Sequence, residues 1–460
     1  MMKRLTLILL AVCGSCFAGR AQELVLTLEG CKELARENDP YVKNARLDAL
    51  SARAQKGEAL AEYFPTVQAT VMGFHAMKPL VDIGPIDILG RSDAAWDISN
   101  AYNDFAYSNG LPTRYRALQY GYGAGVSVMQ PLFAGGRIVS GNRLAELGVR
   151  AADLKSSLQA RETDAEVERK FWQVVSLVEK MKVLDGAMQM VDSLEKDVES
   201  ACSAGLVTES DRLQVKLKKS ELKSTRLQLL GGIRLAKMDM FNEIGIAYSA
   251  VSSNAREGRP YIDAVLFDSG TGELCSPQSV HVSEEEMAES MEEARLLDLQ
   301  VEAKKLEKRM VLGSALPQLA IGGAYGYGHY IGNGKLNGTV FAMLSVPLSD
   351  WGKTSRKLKR YENDVQKSEN ERAYLHSQLL LRARQMWIEL ETSWERMAVA
   401  REAEEIARDS YARQRSAYDA GLVTMSELLQ SQTDLLTCEN ASAESRIAYR
   451  TALSSYMAFK

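Results

Sequence analysis

The pentapeptide Ala204-Gly205-Leu206-Val207-Thr208 occurs a second time, as Ala420-Gly421-Leu422-Val423-Thr424, and this recurrence constrains the chain more than any other feature. Ser210, Leu213 and Gln214 recur with it as Ser426, Leu429 and Gln430. Each copy follows a Pro-Leu pair at the same distance: Pro131 stands as far before Ala204 as Pro347 stands before Ala420. Equal runs that end in equal turns describe an internal duplication, which has to be recognised before any element is assigned. The 460 residues alone would suggest about three domains. Two halves of one elongated unit fit the duplication better.

Charged residues at 25% and hydrophobic ones at 46% are ordinary globular values. Beyond the N-terminus no run reaches the roughly 20 apolar residues of a membrane helix. That pattern suits a soluble protein, and also a β-barrel, whose short alternating strands escape a hydropathy scan. Residues 1–21 read as a secretory signal: Lys3-Arg4, an apolar core from Leu5 to Val12, then small residues. Cleavage before Gln22 fits Gly19 and Ala21; cleavage after Ala18 is an alternative, as is lipidation at Cys16. Loss of Lys3, Arg4 and Arg20 takes the net charge from −4 to −7, which argues against a nucleic-acid partner. The remaining cysteines, Cys31, Cys202, Cys275 and Cys438, form no CxxC pair and no disulfide framework.

The first repeat covers 22–245. Residues 28 to 63 read as a helix with a break near Pro40, ended by Phe64-Pro65. From Thr66 the period falls to 2, with Val67, Ala69 and Val71 on one face and Thr66, Gln68 and Thr70 on the other. A second strand sets Tyr120, Tyr122, Ala124, Val126 and Val128 against Gly121, Gly123, Gly125 and Ser127. Large apolar residues on one face and tiny ones on the other suit a curved barrel wall. The segment 76–117 between them, with Trp96, Tyr102, Phe105 and Tyr107, is too long for a hairpin turn and reads as an external excursion. Pro131 to Arg137 returns the chain to helix, which runs to about Ser203 without proline. Roughly 65 residues at ~1.5 Å each give a rod on the order of 100 Å, the length of a coiled coil. Gly205 supplies a left-handed C-cap, and Thr208 with Asp211 caps the next helix, which runs to about Gly245 with Gly231-Gly232 as a weak spot.

Residues 246–283 lose periodicity and read as a linker, with a strand at Tyr261 to Phe267. The second repeat, 284–460, follows the plan of the first. A helix from about Ser283 ends at Leu316-Pro317. A strand places Leu319, Ile321, Tyr325 and Tyr327 opposite Ala320, Gly322, Ala324 and Gly326. A turn around Gly332-Asn333-Gly334 leads to a strand over Thr339 to Val346. A long helix, the tip 420–424 and a last helix to about Met457 complete it. Pro65 and Pro131 lie more than twice as far apart as Pro317 and Pro347, so the excess lies in the first hairpin.

Four strands cannot close a barrel, and an open sheet with an apolar outer face is not stable in lipid. The smallest bacterial outer-membrane barrels have eight strands. Three copies would supply twelve and would gather their long helices into a hollow tube. With a secretory signal, this places the sheet in an outer membrane and the helices in the periplasm.

The duplicated plan, the Pro-Leu-Phe-x-x-Gly-Arg entry to the long helix at Pro131–Arg137 and the Gly-Leu-Val-Thr tips resemble the TolC-like outer-membrane efflux proteins over nearly the whole mature chain. The resemblance implies a mixed α and β, mainly α, homotrimer with a 12-stranded barrel and a helical coiled-coil barrel. It implies a passive duct that docks on a periplasmic adaptor (membrane fusion) protein and an inner-membrane pump of RND or ABC type. It also implies that the position of Glu427 faces the pore at the narrow periplasmic end, with Gln430 where a second acid is common. Three Glu427 in a ring would raise one another's pKa and attract cations; in a single chain, Glu427 three residues after Thr424 also fits a capping box. Asp211 is its first-repeat counterpart, a cap or a partner in closing the tip. Gly205, Leu206, Val207, Gly421, Leu422 and Val423 would be the adaptor-contacting tips, because exposed Leu-Val at a turn wants a partner; the alternative is a plain helix-hairpin turn. The basic run Lys353, Arg356, Lys357, Lys359 and Arg360 reads as a solvated helix face or a contact with outer-membrane lipid headgroups.

Gly121 to Gly125 does not open a helix, so it is no nucleotide loop. His75, His281, His329 and His376 are scattered, which points to no metal site, no cofactor and no enzyme. The expected function is the exit duct of a tripartite efflux pump for small molecules. The alternatives are a duct for type I protein secretion and, in another class, a soluble periplasmic coiled-coil scaffold.

Overall fold

The computed structural model describes residues 25–246, 262, 265–268, 274–330 and 334–459. The leader, most of the linker and two of the three residues of the expected Gly332-Asn333-Gly334 turn lie outside these. In chain order the elements are β1 (Val25–Leu26), α1 (Leu28–Asn38), α2 (Pro40–Ala61), β2 (Thr66–His75), β3 (Val81–Ile83), α3 (Pro85–Leu89), α4 (Asp93–Ser108), β4 (Tyr115–Ala117), β5 (Tyr120–Ala134), α5 (Arg137–Ser203) and α6 (Glu209–Glu243). After the linker come β6 (Leu266–Phe267), a short 3-10 turn at Pro277–Ser279, α7 (Glu284–Ser290), α8 (Glu292–Gly313), β7 (Gln318–His329), β8 (Lys335–Ser345), α9 (Lys353–Asp419) and α10 (Met425–Met457). The fold is mainly helical, and α5 and α9 are each 67 residues long.

The chain divides into two compact units that cut across the sequence halves. One contains residues up to Leu50, Ala151–Asp298 and Glu371 onward; the other contains Ser51–Arg150 and Leu299–Asn370.

The first unit buries three apolar clusters. One joins Cys31 and Ala35 of α1 to Val167, Phe171 and Trp172 of α5 and to Met240 and Phe241 of α6. A second joins Met287 and Met291 to Leu379, Trp387 and Leu390 of α9 and to Tyr449 and Tyr456 of α10. The third, near the tips, joins Val191, Leu194 and Val198 of α5, Val215 and Leu222 of α6, and Met425 and Leu428 of α10. The break at Pro40 follows from its ring, and Asp39 seals it: its carboxylate accepts from the Tyr41 N–H at 2.7 Å and from the Thr163 hydroxyl at 2.5 Å. A break the sequence does not announce occurs at Met291, whose extended backbone (φ −63°, ψ 135°) separates α7 from α8. The first cluster also takes in Val265 and packs Phe267 against it, and β6 pairs parallel with β1.

The second unit is built on an antiparallel sheet of order β2-β5-β7-β8. The register fixes its two faces. One carries Val67, Ala69 and Val71 of β2, Tyr122, Ala124, Val126 and Val128 of β5, Ile321, Tyr325 and Tyr327 of β7, and Leu336, Val340, Ala342 and Leu344 of β8. Glycine and alanine fill the middle of the opposite face, flanked by Thr66, Gln68, Thr70, Met72 and Phe74 on one edge strand and Lys335, Asn337, Thr339, Phe341 and Met343 on the other. Two strand boundaries differ from expectation. β5 does not end at Pro131 but continues to Ala134 across a register shift between Pro131 and Phe133, the irregularity that lets a proline sit in an inner strand. β8 begins at Lys335, ahead of the expected Thr339.

At the foot of the sheet Gly135 (φ +64°) crosses Gly313, the last residue of α8, so closely that a Cβ on Gly135 would lie 2.0 Å from the Gly313 carbonyl oxygen. No other residue fits there.

Candidate functional site

Two places hold the residues singled out in the sequence, the helical tips and the sheet. The tips are α-helical hairpins closed by Gly205 (φ +75°) and Gly421 (φ +73°), as left-handed C-caps require. Each next helix opens on a full capping box. The Thr424 N–H and hydroxyl donate to the Glu427 carboxylate at 2.7 and 2.9 Å, and the Glu427 N–H donates to Thr424 Oγ1 at 3.3 Å. Thr208 and Asp211 make the same contacts, at 3.2 and 2.6 Å from Thr208 and 3.2 Å from the Asp211 N–H. The Thr424 backbone N–H, and then its hydroxyl, hold the Glu427 carboxyl below its ordinary value. In one chain, therefore, the cap governs Glu427.

Leu206 and Leu422 are 80% and 78% exposed, whereas Val207 is half-buried and packs on the tip cluster. The most exposed apolar side chain at each tip is thus the leucine, with Val207 and Val423 half-buried. Gln430 is exposed and donates to Asp434 at 2.8 Å. Asp434 lies one turn beyond Gln430, so Glu427, Gln430 and Asp434 form an exposed polar stripe at helical spacing. Asp434 is absent from the site expected on sequence, although its i, i+3, i+7 spacing with Glu427 and Gln430 is signal enough to include it.

Two residues at the end of α9 are also absent from that expectation. Arg415 reaches Asp197 of α5 at 2.5 Å and Asp419 at 3.3 Å. The Tyr418 phenol is half-buried; burial and the nearby Asp211 charge push its pKa up. Gln432 donates to the Ala187 carbonyl at 3.1 Å, and Lys218 donates to Thr433 at 2.8 Å, so α5, α6, α9 and α10 are tied together near the tips.

The sheet is the second place. Its apolar face is exposed, and both edge strands, β2 and β8, have an unpaired side. Tyr122 stacks on His329 and meets Tyr327 at centroid distances of 5.2 and 6.2 Å along that face. On the other face Phe74 and Tyr330 lie over Gly121 and Gly123, where a Cβ would come within 2.6 Å of Phe74 and 2.3 Å of Tyr330.

The excursion 76–117 has a structure of its own. Helix α4 starts at Ser92, whose hydroxyl accepts from the Ala95 N–H at 3.2 Å, and β3 pairs antiparallel with β4. Arg114 holds it together, donating to Asp82 at 2.6 Å and to Asp87 at 3.0 Å, while Asp87 also accepts from the Gly84 N–H at 2.8 Å. A cavity of about 820 Å³ lies beside this knot, lined by Ile83, Ile88, Ile98, Tyr102 and Arg114 among others.

Among the described residues no helix is long and apolar enough to cross a membrane, and no His/Cys/Asp/Glu group is placed to hold a metal ion. The described cysteines are free thiols, and burial pushes Cys31 up to about 11.

Residues 313–456 match the profile of a family described as Outer membrane efflux protein. Most of the chain is similar in fold to solved membrane proteins. A membrane protein from Pseudomonas aeruginosa aligns with a TM-score of 0.71 at 13% identity, over 94% of this chain and 93% of that one. The outer membrane protein VceC from Vibrio cholerae aligns at 0.69 and 15%, over 94% and 95%. The CmeC outer membrane channel of Campylobacter jejuni aligns at 0.69 and 12%, over 94% and 85%. No curated protein matches the chain in sequence. The expected resemblance therefore holds: the second half carries the efflux family's sequence pattern, and the chain carries the fold of such channels.

Proposed function

We propose that this chain is the outer-membrane channel of a tripartite efflux system, a passive duct for small molecules that spans the outer membrane and extends into the periplasm. One observation carries the reading most directly. The four-stranded sheet leaves an apolar face exposed and both edges open. Such a sheet cannot stand in lipid until its edges are paired. Three copies of one chain, each contributing two repeats of two strands, close a twelve-stranded barrel of alternating apolar and polar faces. The long helices then form the periplasmic conduit. No step of the transport is chemical; the work comes from an inner-membrane pump of RND or ABC type, reached through a periplasmic adaptor that meets Leu206 and Leu422.

At the tips, three copies of Glu427 and Gln430 line the constriction, with Asp434 one turn further in, and Asp211 caps the neighbouring hairpin. Two effects then oppose each other at Glu427. Thr424 holds its pKa down, and the other two carboxylates push it up. A group with a depressed pKa keeps its charge as the pH falls, until the pH passes through that lowered value. Cation selectivity therefore persists below the ordinary glutamate range where the cap dominates. Thr424→Ala removes one donor and moves the loss of selectivity to higher pH.

The test is single-channel conductance of the purified protein in a planar bilayer. Small, stable, cation-selective steps that enlarge or lose selectivity in Glu427→Ala support the duct and its constriction. Steps untouched by the substitution leave Glu427 as a cap alone. A protein that needs no detergent and gives no conductance is a soluble scaffold, and the proposal fails.

A further inference from the structure

The junction where β8 gives way to α9 differs from its counterpart between β5 and α5. Aligning the two repeats on Pro131 and Pro347 sets Gly135 against Trp351, Gly136 against Gly352 and Arg137 against Lys353. Gly135 is a glycine because it crosses Gly313. Trp351 adopts the same left-handed backbone (φ +53°), which a bulky side chain rarely does. Its ring gains nothing from the fold in return: it is 93% exposed, as is Leu348 before it. Strain of this kind persists where something else uses the residue.

The start of α9, just past Trp351, is equally one-sided. Lys353, Arg356, Lys357 and Arg360 fall at i, i+3, i+4 and i+7, one stripe of α9, and all but the half-buried edges of the helix are exposed there. Lys359 adds a fifth cation beside the stripe. The flank of the stripe that carries the half-buried Leu358 and Tyr361 leads to the buried Val365. Positive charge in the first turns of a helix is disfavoured by the helix dipole, so local stability does not account for these residues. Nor do ion pairs: among the described residues none of the five cations is salt-bridged, and Arg360 only stacks on Tyr361. The neighbouring acids are engaged. Glu362 pairs with Lys308, Asp364 with Lys367, and Asp350 accepts from the Gly352 and Thr354 N–H groups. With those backbone donors taken, the side-chain charge is what remains unanswered. The first-half counterpart, Arg137 to Glu146, has only Arg137 and Arg143.

We propose that Trp351, Lys353, Arg356, Lys357 and Arg360 form a docking surface for anionic phospholipid headgroups in the leaflet on the helical side of the sheet. This rests on the outer-membrane reading above. Two features select that occupant. The surface continues the apolar face: Leu344 of β8 and, past the strand's end, Val346 and Leu348 are all exposed, and an amphipathic tryptophan at the end of such a face sits at headgroup level. The stripe just beyond it offers charge at the depth where phosphates lie, and unpaired basic side chains beside a membrane bind anionic lipid.

Full-length protein is reconstituted in vesicles of brominated phosphatidylglycerol or brominated phosphatidylcholine, and tryptophan quenching is recorded. The difference between wild type and Trp351→Phe isolates the signal from Trp351. Both lipids quench it, and in mixtures phosphatidylglycerol is preferred about ten-fold at low salt, less at high salt. The fourfold variant Lys353→Gln, Arg356→Gln, Lys357→Gln, Arg360→Gln keeps the quenching and loses the preference. Inorganic phosphate at matched ionic strength leaves the wild-type preference intact. Equal binding of the two lipids by wild type, a preference that survives in the variant, a preference erased by phosphate, or a Trp351 that lipid does not quench would each overturn the proposal. Conductance of the same preparation separates the two readings, since a protein that inserts and conducts without lipid preference fails only here.

Discussion

Gly135 and Gly136 stand side by side in left-handed conformation, at φ +64° and +79°, yet only one is held by its surroundings. A methyl group on Gly135 meets the Gly313 carbonyl at 2.0 Å, and one on Gly136 meets nothing within 4 Å. Gly136→Ala therefore costs about 1 kcal/mol, the backbone penalty alone. Gly135→Ala adds a clash between two backbones that neither side chain nor rotamer can relieve, and costs several kcal/mol, on the order of 3 or more. Urea unfolding of the two variants measures the difference; equal midpoints would mean the crossing opens freely. Single residues are legible from sequence where their job is local. Thr208 with Asp211 and Thr424 with Glu427 declare their capping boxes three residues apart, and Gly205 and Gly421 declare their turns. Gly135 does not declare Gly313, because the two lie far apart in the chain and the contact leaves no trace in either neighbourhood.

At the scale of elements, period is what a sequence expresses best. Alternation between Tyr and Gly in β5 and β7 marks the faces of the sheet, and the register confirms them pair by pair. Period says less about where an element stops. Pro131 ought to end a strand, but the register shift beside it carries β5 on to Ala134. Met291 breaks a helix with neither glycine nor proline present. The excursion hides α4 behind its length, although Ser92 before an apolar run is a readable N-cap signal. The faces make a prediction that separates a lipid-facing wall from a solvated one. Val340 is 92% exposed on the apolar face of β8 and Thr339 lies on the opposite face. In a membrane wall Val340→Lys costs about 2–4 kcal/mol near mid-depth while Thr339→Lys is tolerated. In a soluble sheet neither matters. Yield of protein from washed outer membranes for the two variants gives the comparison, and equal yields would argue against the barrel.

The helices leave a matching signature on the whole molecule. Leu213, Leu217, Leu227 and Leu235 are exposed along α6, with Ser220, Ser224 and Gly231 filling the 3- and 4-residue steps between them. An exposed stripe of this kind suits a coiled-coil seam with another copy of the chain. It predicts a trimer in detergent, with a mass of three chains, and an assembly weakened to monomers by Leu217→Arg with Leu227→Arg. Light scattering of the purified protein reads both, and a wild-type monomer would end the trimeric reading. A lone sequence expresses such a partner only as apolar surface with nowhere to go, which is why the duct is legible as a need and its assembly only as an inference.

The open edges of β2 and β8 have a genetic consequence. If every wall is shared among three copies, a chain with a damaged β8 edge spoils each assembly it enters, whatever its neighbours carry. Damage along the open edge of β8 would then behave as a dominant trait when the altered and normal genes are expressed together. Damage in the excursion around Arg114, confined to its own copy, would behave as a recessive one.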